Sequence, residues 1–116
     1  MPDAPDDTPA PRAVVTLTRT DARDVGHRQI YARIDDMPNR TLLFGDTVRV
    51  EVAPGPHRLK ANNTLFWKTV AFDIAPGQHI EFVLINRSSQ FAFGVLSLLG
   101  VGPLMLAIER RERPAD

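Results

Sequence analysis

The amino-acid sequence predicts a small all-β protein: an antiparallel β-sandwich of about seven short strands, followed by an apolar C-terminal helix. Three observations predict this fold. Apolar and polar residues alternate in short stretches between residues 13 and 85, which is the periodicity of strands. Turn-forming residues separate these stretches at regular intervals, as in sandwiches and small barrels. No helical periodicity occurs before residue 90.

Each predicted strand is recognised by its alternation and ends at a turn signal. The clearest is Thr47–Val52, where three valines alternate with polar residues, so that one face is apolar and the other polar, as in an antiparallel sheet. Pro54-Gly55 and Pro76-Gly77 suit the centres of type II turns. The predicted strands cover residues 13–19, 28–34, 41–44, 47–52, 57–61, 65–74 and 78–85.

Trp67 departs from the inward pattern of its strand. It lies in the opposite register to Phe66 and Val70, which are predicted to face the core. A bulge or a second packed face would also accommodate it. We expect Trp67 to be exposed, and it is the one candidate for a binding patch.

Composition divides the chain into three parts. Residues 1–12 are rich in Pro and Asp and have almost nothing apolar to bury, so we predict a disordered tail. Residues 13–89 form the β-domain, and residues 90–116 form an apolar segment with a basic end. The 14 basic residues balance the 14 acidic ones, which argues against a nucleic-acid partner. The chain has no Cys, which excludes disulfides and thiolate chemistry.

Residues 28–86 carry a resemblance to a known family. Ile34-Asp35-Asp36 and Phe44-Gly45-Asp46 are followed by two similar turns, Pro54-Gly55-Pro56-His57 and Pro76-Gly77-Gln78-His79. In these features the stretch resembles the small bacterial β-sandwich modules of the PEGA type and their prealbumin-like relatives. Asp36 stands where that family has Gly, and the Pro-Glu-Gly-Ala string is absent. The resemblance implies a structural or adhesive role beside a membrane and no functional residue.

No residue pattern predicts catalysis, a cofactor or a metal. His27, His57 and His79 lack the spacing of a metal site, and the latter two follow turns that their rings can cap. Turn chemistry explains Asp35, Asp36 and Asp46. Ser88-Ser89 lacks the glycines of a nucleophile elbow. We therefore expect a protein that is not an enzyme.

The apolar C-terminal segment predicts a membrane span. Residues 91–108 carry no charge, and Ser97 is the only polar side chain among them. As a helix they would extend about 27 Å, close to the hydrocarbon thickness of a bilayer. Residues 109–113 would form the interfacial stop. The alternative is a strand pair, 91–99 and 101–108, packed on the sheet or on a second subunit. The predicted membrane segment is marked by Phe91, Gly94, Ser97, Gly100, Pro103 and Ile108.

The sequence is compatible with three functions. The first is a membrane-anchored interaction or structural module, with an unknown protein partner or self-association. The second is a soluble oligomer that buries the apolar C-terminus between subunits, and the third is a small ligand-binding domain around Trp67. The arginines at 110, 111 and 113 favour a cytoplasmic C-terminus. A folded domain is harder to translocate than a short tail, so we expect the β-domain on the cytoplasmic side.

Overall fold

The computed structural model describes residues 12–26, 28–88 and 104–113, which fold into eight β-strands. All seven strands that the sequence predicts are present, with ends that differ by a few residues. In chain order the strands are β1 (Ala13–Thr18), β2 (Ile30–Ile34), β3 (Arg40–Leu42), β4 (Thr47–Val52), β5 (Gly55–Asn62), β6 (Trp67–Ile74), β7 (His79–Ser88) and β8 (Leu104–Arg113).

The strands form two four-stranded sheets. The first sheet has the order β4-β1-β7-β8, and the second has the order β3-β2-β5-β6. Among the described strands, β1 and β7 pair in parallel, with Val15 opposite Ile80, and every other pair is antiparallel. The predicted all-β fold is therefore confirmed, whereas the predicted purely antiparallel pairing is wrong for β1 and β7. The chain passes through the second sheet between these two strands, so no hairpin forces them to run in opposite directions.

The inward faces of both sheets form one apolar core. Alternate residues of each strand point inwards, as the period-two pattern requires. The rings of Phe72 in the second sheet and Phe82 in the first meet edge-on, with centroids 5.0 Å apart. The buried apolar side chains of this core are Ala13, Val15, Leu17, Ile30, Ala32, Ile34, Leu42, Val52, Leu59, Ala61, Phe72, Ile74, Ile80, Phe82, Leu84 and Leu106.

The prediction of a C-terminal helix is wrong for residues 104–108. They form the first half of β8, which pairs with β7 along its whole length. The physical reason is an alternation that continues into the charged residues. Leu106 is buried and Ile108 packs against the core, whereas Glu109 and Arg111 belong to the opposite face. Uniformly apolar residues before Leu106 hide this alternation in the sequence.

Strand β8 also extends the sandwich beyond the predicted boundary at residue 89. Residues 104–113 belong to the first sheet, although their composition predicts a separate segment. Phe91, Gly94, Ser97, Gly100 and Pro103 lie outside the described residues. Within residues 12–26, 28–88 and 104–113, the structure contains no helix with the length and apolar character of a membrane span.

The register of the strands gives the sandwich two distinct ends. We call the end that carries the connections after β1, β3, β5 and β7 the loop end. The opposite end, the base, carries the turns after β2, β4 and β6, together with the start of β1 and the end of β8. The two ends differ in chemistry.

Candidate functional site

A buried ion pair closes the loop end of the sandwich. The side chains of Arg19, just after β1, and Asp24, in the β1–β2 loop, are 1% and 0% exposed. Arg19 donates from Nε and Nη2 to the two carboxylate oxygens of Asp24, at 3.0 and 3.2 Å. Its Nη1 donates to the carbonyl of Leu42 at 2.9 Å. The guanidinium therefore links the first sheet to the end of β3 in the second.

The network continues from Asp24 into two further segments. Its carboxylate accepts hydrogen bonds from the backbone N–H groups of Gly26 at 2.7 Å and Asn86 at 2.9 Å. The side-chain oxygen of Asn86 accepts from the Asn63 amide at 3.0 Å. Asn63 in turn accepts two backbone N–H groups of the β5–β6 turn. Three connections of the loop end are thus fixed by one hydrogen-bonded network.

The turn between β3 and β4 presents two apolar side chains to solvent. Leu43 is 52% exposed and Phe44 is 51% exposed. The turn is held firmly: Gly45, with a φ of 100° that disfavours other residues, donates its N–H to the carbonyl of Arg19 at 2.7 Å. Asp46 accepts the N–H of Leu43 at 2.8 Å. These hydrogen bonds hold the turn in a conformation in which Leu43 and Phe44 point into solvent.

Two non-glycine residues of the loop end adopt left-handed backbone. Arg28 has a φ of 64° and Thr64 has a φ of 72°, which is a costly conformation for a β-branched residue. The guanidinium of Arg28 donates to Oγ1 of Thr64 at 2.7 Å and to the carbonyl of Asn63 at 3.2 Å. Such strain is concentrated at functional sites in many proteins.

An open groove of about 480 Å³ lies between these segments. Arg28, Tyr31, Phe44 and Thr64 are among the residues that line it. The lining combines the apolar side chains of Leu43 and Phe44 with hydroxyl, amide and guanidinium groups. The groove joins the exposed apolar turn to the outer face of the second sheet.

The outer face of the second sheet carries an aromatic row near the loop end. Tyr31, Asn62 and Trp67 are register partners on the neighbouring strands β2, β5 and β6. Trp67 is 68% exposed, as its strand register predicts. Tyr31 is half-buried, and its hydroxyl is hydrogen-bonded to Gln29. Two aromatic side chains thus flank an amide on one solvent-facing row.

The next row of the same face is cationic. Arg33 on β2 lies directly opposite Lys60 on β5, and Lys60 lies opposite Thr69 on β6. Like charges that face each other across two strands destabilise a sheet. Within the described residues, no carboxylate is within ion-pair distance of Arg33 or Lys60. We define Tyr31, Asn62 and Trp67 as the aromatic row, and Arg33 and Lys60 as the cationic row.

On the outer face of the first sheet, by contrast, several cations are paired with carboxylates. Arg113 donates to Glu81 at 3.3 Å. Arg23, in the β1–β2 loop, donates to both carboxylate oxygens of Glu109 at 2.8 Å. The hydrogen bond from Arg23 lowers the pKa of Glu109 below its usual value. These ion pairs neutralise several charges of this face within the protein, whereas within the described residues Arg33 and Lys60 have no ion pair.

The base carries a histidine–carboxylate pair. Nδ1 of His57 is 2.5 Å from Oδ2 of Asp35, and Nε2 is 2.6 Å from the carbonyl of Ala53. Burial by itself lowers the pKa of His57, but these two hydrogen bonds outweigh it and raise the pKa. Burial raises the pKa of Asp35, yet the hydrogen bonds from His57 and the Arg58 N–H outweigh it and lower the pKa. The pair joins two turns of the base.

The remaining candidates from the sequence lie apart from one another. His79 is buried in the first sheet, 2.6 Å from Oγ1 of Thr16, and His27 lies outside the described residues. Asp35 is at the base, whereas Asp46 is at the loop end. No group of three metal-ligating side chains occurs within the described residues. The predicted absence of catalytic, cofactor and metal sites stays a prediction.

Sequence reasoning missed the cationic row and the network of Arg19 and Asp24. Arg33 and Lys60 alternate with apolar residues in their strands, so their outward direction can be read from the sequence. Their juxtaposition depends on the pairing of β2 with β5, which no local pattern specifies. Arg19 ends a predicted strand and Asp24 lies in the predicted loop after it, and nothing in the sequence marks the burial of their charges.

Comparison of the chain with protein-family models, with curated proteins and with solved structures yields no significant match. The geometry of the two ends and of the sheet faces is therefore the basis for inferring a function.

Proposed function

We propose that the protein is a non-catalytic β-sandwich interaction module that docks on a membrane surface with its loop end. The observation that carries the proposal is the position of the exposed apolar side chains. Among the described residues, four large hydrophobic side chains are exposed: Met37, Leu43, Phe44 and Trp67. The last three are at the loop end, and Met37 is at the base.

The sequence of the connection after β7 also supports the loop end as the end that docks on the membrane. Ser88 at the end of β7 pairs with Leu104 at the start of β8, so the connection leaves and re-enters the sandwich at the loop end. Residues 91–103 contain no charged side chain. The strands on either side of this connection, β7 and β8, pair in one sheet and therefore lie on the same side of a membrane. We therefore propose a module that docks from one side of the membrane, in place of a single span. We expect that side to be cytoplasmic.

The energies are in the range of reversible membrane binding. Transfer of a half-exposed Leu, Phe or Trp side chain from water to an apolar phase contributes roughly 1–2 kcal/mol, by the area rule for apolar burial. Aromatic and apolar side chains on a structured end are typical of proteins that lie in the membrane interface. Fixed turns reduce the ordering entropy that such insertion would otherwise cost.

Co-sedimentation of the full chain with phospholipid vesicles tests the proposal. We expect the protein to pellet with vesicles, and the double substitution Leu43→Gln and Phe44→Gln to weaken binding at least ten-fold, by the same area rule. The matched control is Met37→Gln, which removes an exposed apolar side chain from the base and leaves binding unchanged.

Two results would contradict the proposal. One is equal binding by the loop-end variant and the base variant. The other is a protein that does not bind vesicles and sediments as a defined oligomer, which would favour the soluble oligomer with a buried apolar C-terminus.

A further inference from the structure

We infer that the outer face of the second sheet binds the headgroups of anionic phospholipids through Arg33 and Lys60 when the loop end docks. This inference rests on the proposed function and names the lipid class that the module selects. The occupant is a lipid phosphate or carboxylate in a bilayer surface, held by two neighbouring cations beside an aromatic row.

The strand register stacks three kinds of side chain at increasing distance from the loop end. Leu43 and Phe44 extend from the β3–β4 turn, beyond the strands. The aromatic row contains Asn62, and the cationic row contains Lys60, two residues further along β5. Two residues of a strand span about 7 Å. The order from the tip is thus apolar, aromatic and cationic.

A bilayer surface has the same order of layers. Apolar side chains enter the acyl region, Trp and Tyr prefer the level of the headgroups, and Lys and Arg reach the anionic groups outside. Trp67 and the cationic row would meet their preferred layers together if the strands stand roughly along the membrane normal. A single orientation of the domain therefore satisfies all three layers.

The charges of this face favour an anionic partner. Arg33 and Lys60 face each other without a carboxylate partner among the described residues, a repulsive arrangement that a bound anion would relieve. Lys60 contributes to the low pKa of Asp35, but both oxygens of that carboxylate accept hydrogen bonds, from His57 and from the Arg58 N–H.

The test compares full-length protein on zwitterionic phosphatidylcholine vesicles and on vesicles that contain phosphatidylserine. We expect tighter binding to the anionic vesicles. Each membrane-proximal cation contributes about a five-fold change in affinity, so Arg33→Gln with Lys60→Gln should weaken anionic binding about 25-fold. The same double variant should bind zwitterionic vesicles like the wild type.

Two arginines near the base provide a charge-matched control. Arg58→Gln with Arg110→Gln removes the same net charge, but both residues border a groove near the base. Arg58 lies two residues beyond Lys60 along β5, about 7 Å further from the loop end. The screening length in physiological salt is about 8 Å, so an extra 7 Å reduces a cation's contribution to less than half, and we expect a smaller loss for this control.

The outcomes separate the inference from the proposed function. Equal binding to both vesicle types, or equal losses in the two double variants, would overturn the headgroup inference while the apolar docking stands. Absence of binding to either vesicle would remove both. If glycerol phosphate displaces the protein from anionic vesicles more than salt of the same ionic strength does, the cationic row would be assigned to soluble anions. A single-stranded oligonucleotide that binds through Arg33 and Lys60 would replace the lipid as partner.

Discussion

Substitution of Asp24 by Asn should destabilise the whole sandwich. The carboxylate accepts hydrogen bonds from Nε and Nη2 of Arg19 and from the N–H groups of Gly26 and Asn86. An amide of the same shape turns an N–H₂ group towards at least one of these donors and removes the negative charge beside the buried guanidinium. Removal of one partner of a buried ion pair typically costs about 3–5 kcal/mol. We expect a loss in that range.

Urea unfolding followed by circular dichroism at low temperature measures this loss. A domain of this size has a total free energy of unfolding of roughly 5–15 kcal/mol. The variant should therefore still be folded without urea and unfold at a much lower urea concentration. Arg19→Met should cost a similar amount, and the double variant less than the sum, because the two side chains act as a unit. The matched control, Asp36→Asn, alters an exposed turn carboxylate and should change stability by less than about 0.5 kcal/mol.

A loss below about 1 kcal/mol for Asp24→Asn, with an unchanged urea slope, would refute this reasoning. It would mean that the loop end is not fixed by the ion pair, since an exposed pair contributes no more than that.

Three further predictions concern the base, the strained turn and the last strand. His57→Gln should abolish the contribution of the protonated histidine to the free energy of unfolding. This contribution is complete below pH 6.5 and is lost as the pH rises through the raised pKa of His57. The pKa of Asp35 is lowered, so its contribution is lost only when the pH falls below about 4. Urea midpoints at pH 5.5 and pH 9 measure the histidine contribution. Thr64→Asn should stabilise the protein by less than about 1 kcal/mol, because Asn tolerates a positive φ but the exposed hydrogen bond from Arg28 to Oγ1 is lost. A chain that stops at Ser89 should lose cooperative unfolding and aggregate, because it lacks β8.

Each of these predictions has a control and a contrary result. An unchanged pH profile in His57→Gln would show that the histidine pair does not set the pH dependence. Thr69→Asn, on a regular strand, should not stabilise, and equal gains in the two Thr variants would exclude relief of strain at Thr64. Deletion of residues 1–11 should leave unfolding cooperative, whereas a folded, monomeric chain ending at Ser89 would restore the predicted domain boundary.

The strands and the core were predictable because their signal is local. Alternation in Thr47–Val52 and the Pro-Gly turns depend only on neighbours in the chain, so the predicted strands match the observed ones closely. Trp67 was assigned to the exposed face by the same register argument, and it is exposed. Local patterns thus predict which way a side chain points.

The candidate site was less predictable because it depends on contacts between distant residues. Arg33 and Lys60 come together only through the pairing of β2 with β5, and Leu43 is exposed because a distant carbonyl, that of Arg19, fixes its turn. Residues 104–108 were assigned to a helix because apolar composition outweighed a weak alternation. Their pairing with β7 decides the conformation, and that contact has no local signal.

Depth-dependent quenching of Trp67 fluorescence tests the central claim most directly. The chain has a single Trp, so emission reports only on the aromatic row of the loop end. With vesicles that carry brominated lipids, we predict a blue shift and stronger quenching by bromines near the glycerol backbone than by bromines at the bilayer centre, since Trp prefers the interface. Vesicle-bound protein whose Trp67 emission stays unshifted and unquenched would contradict docking through the loop end.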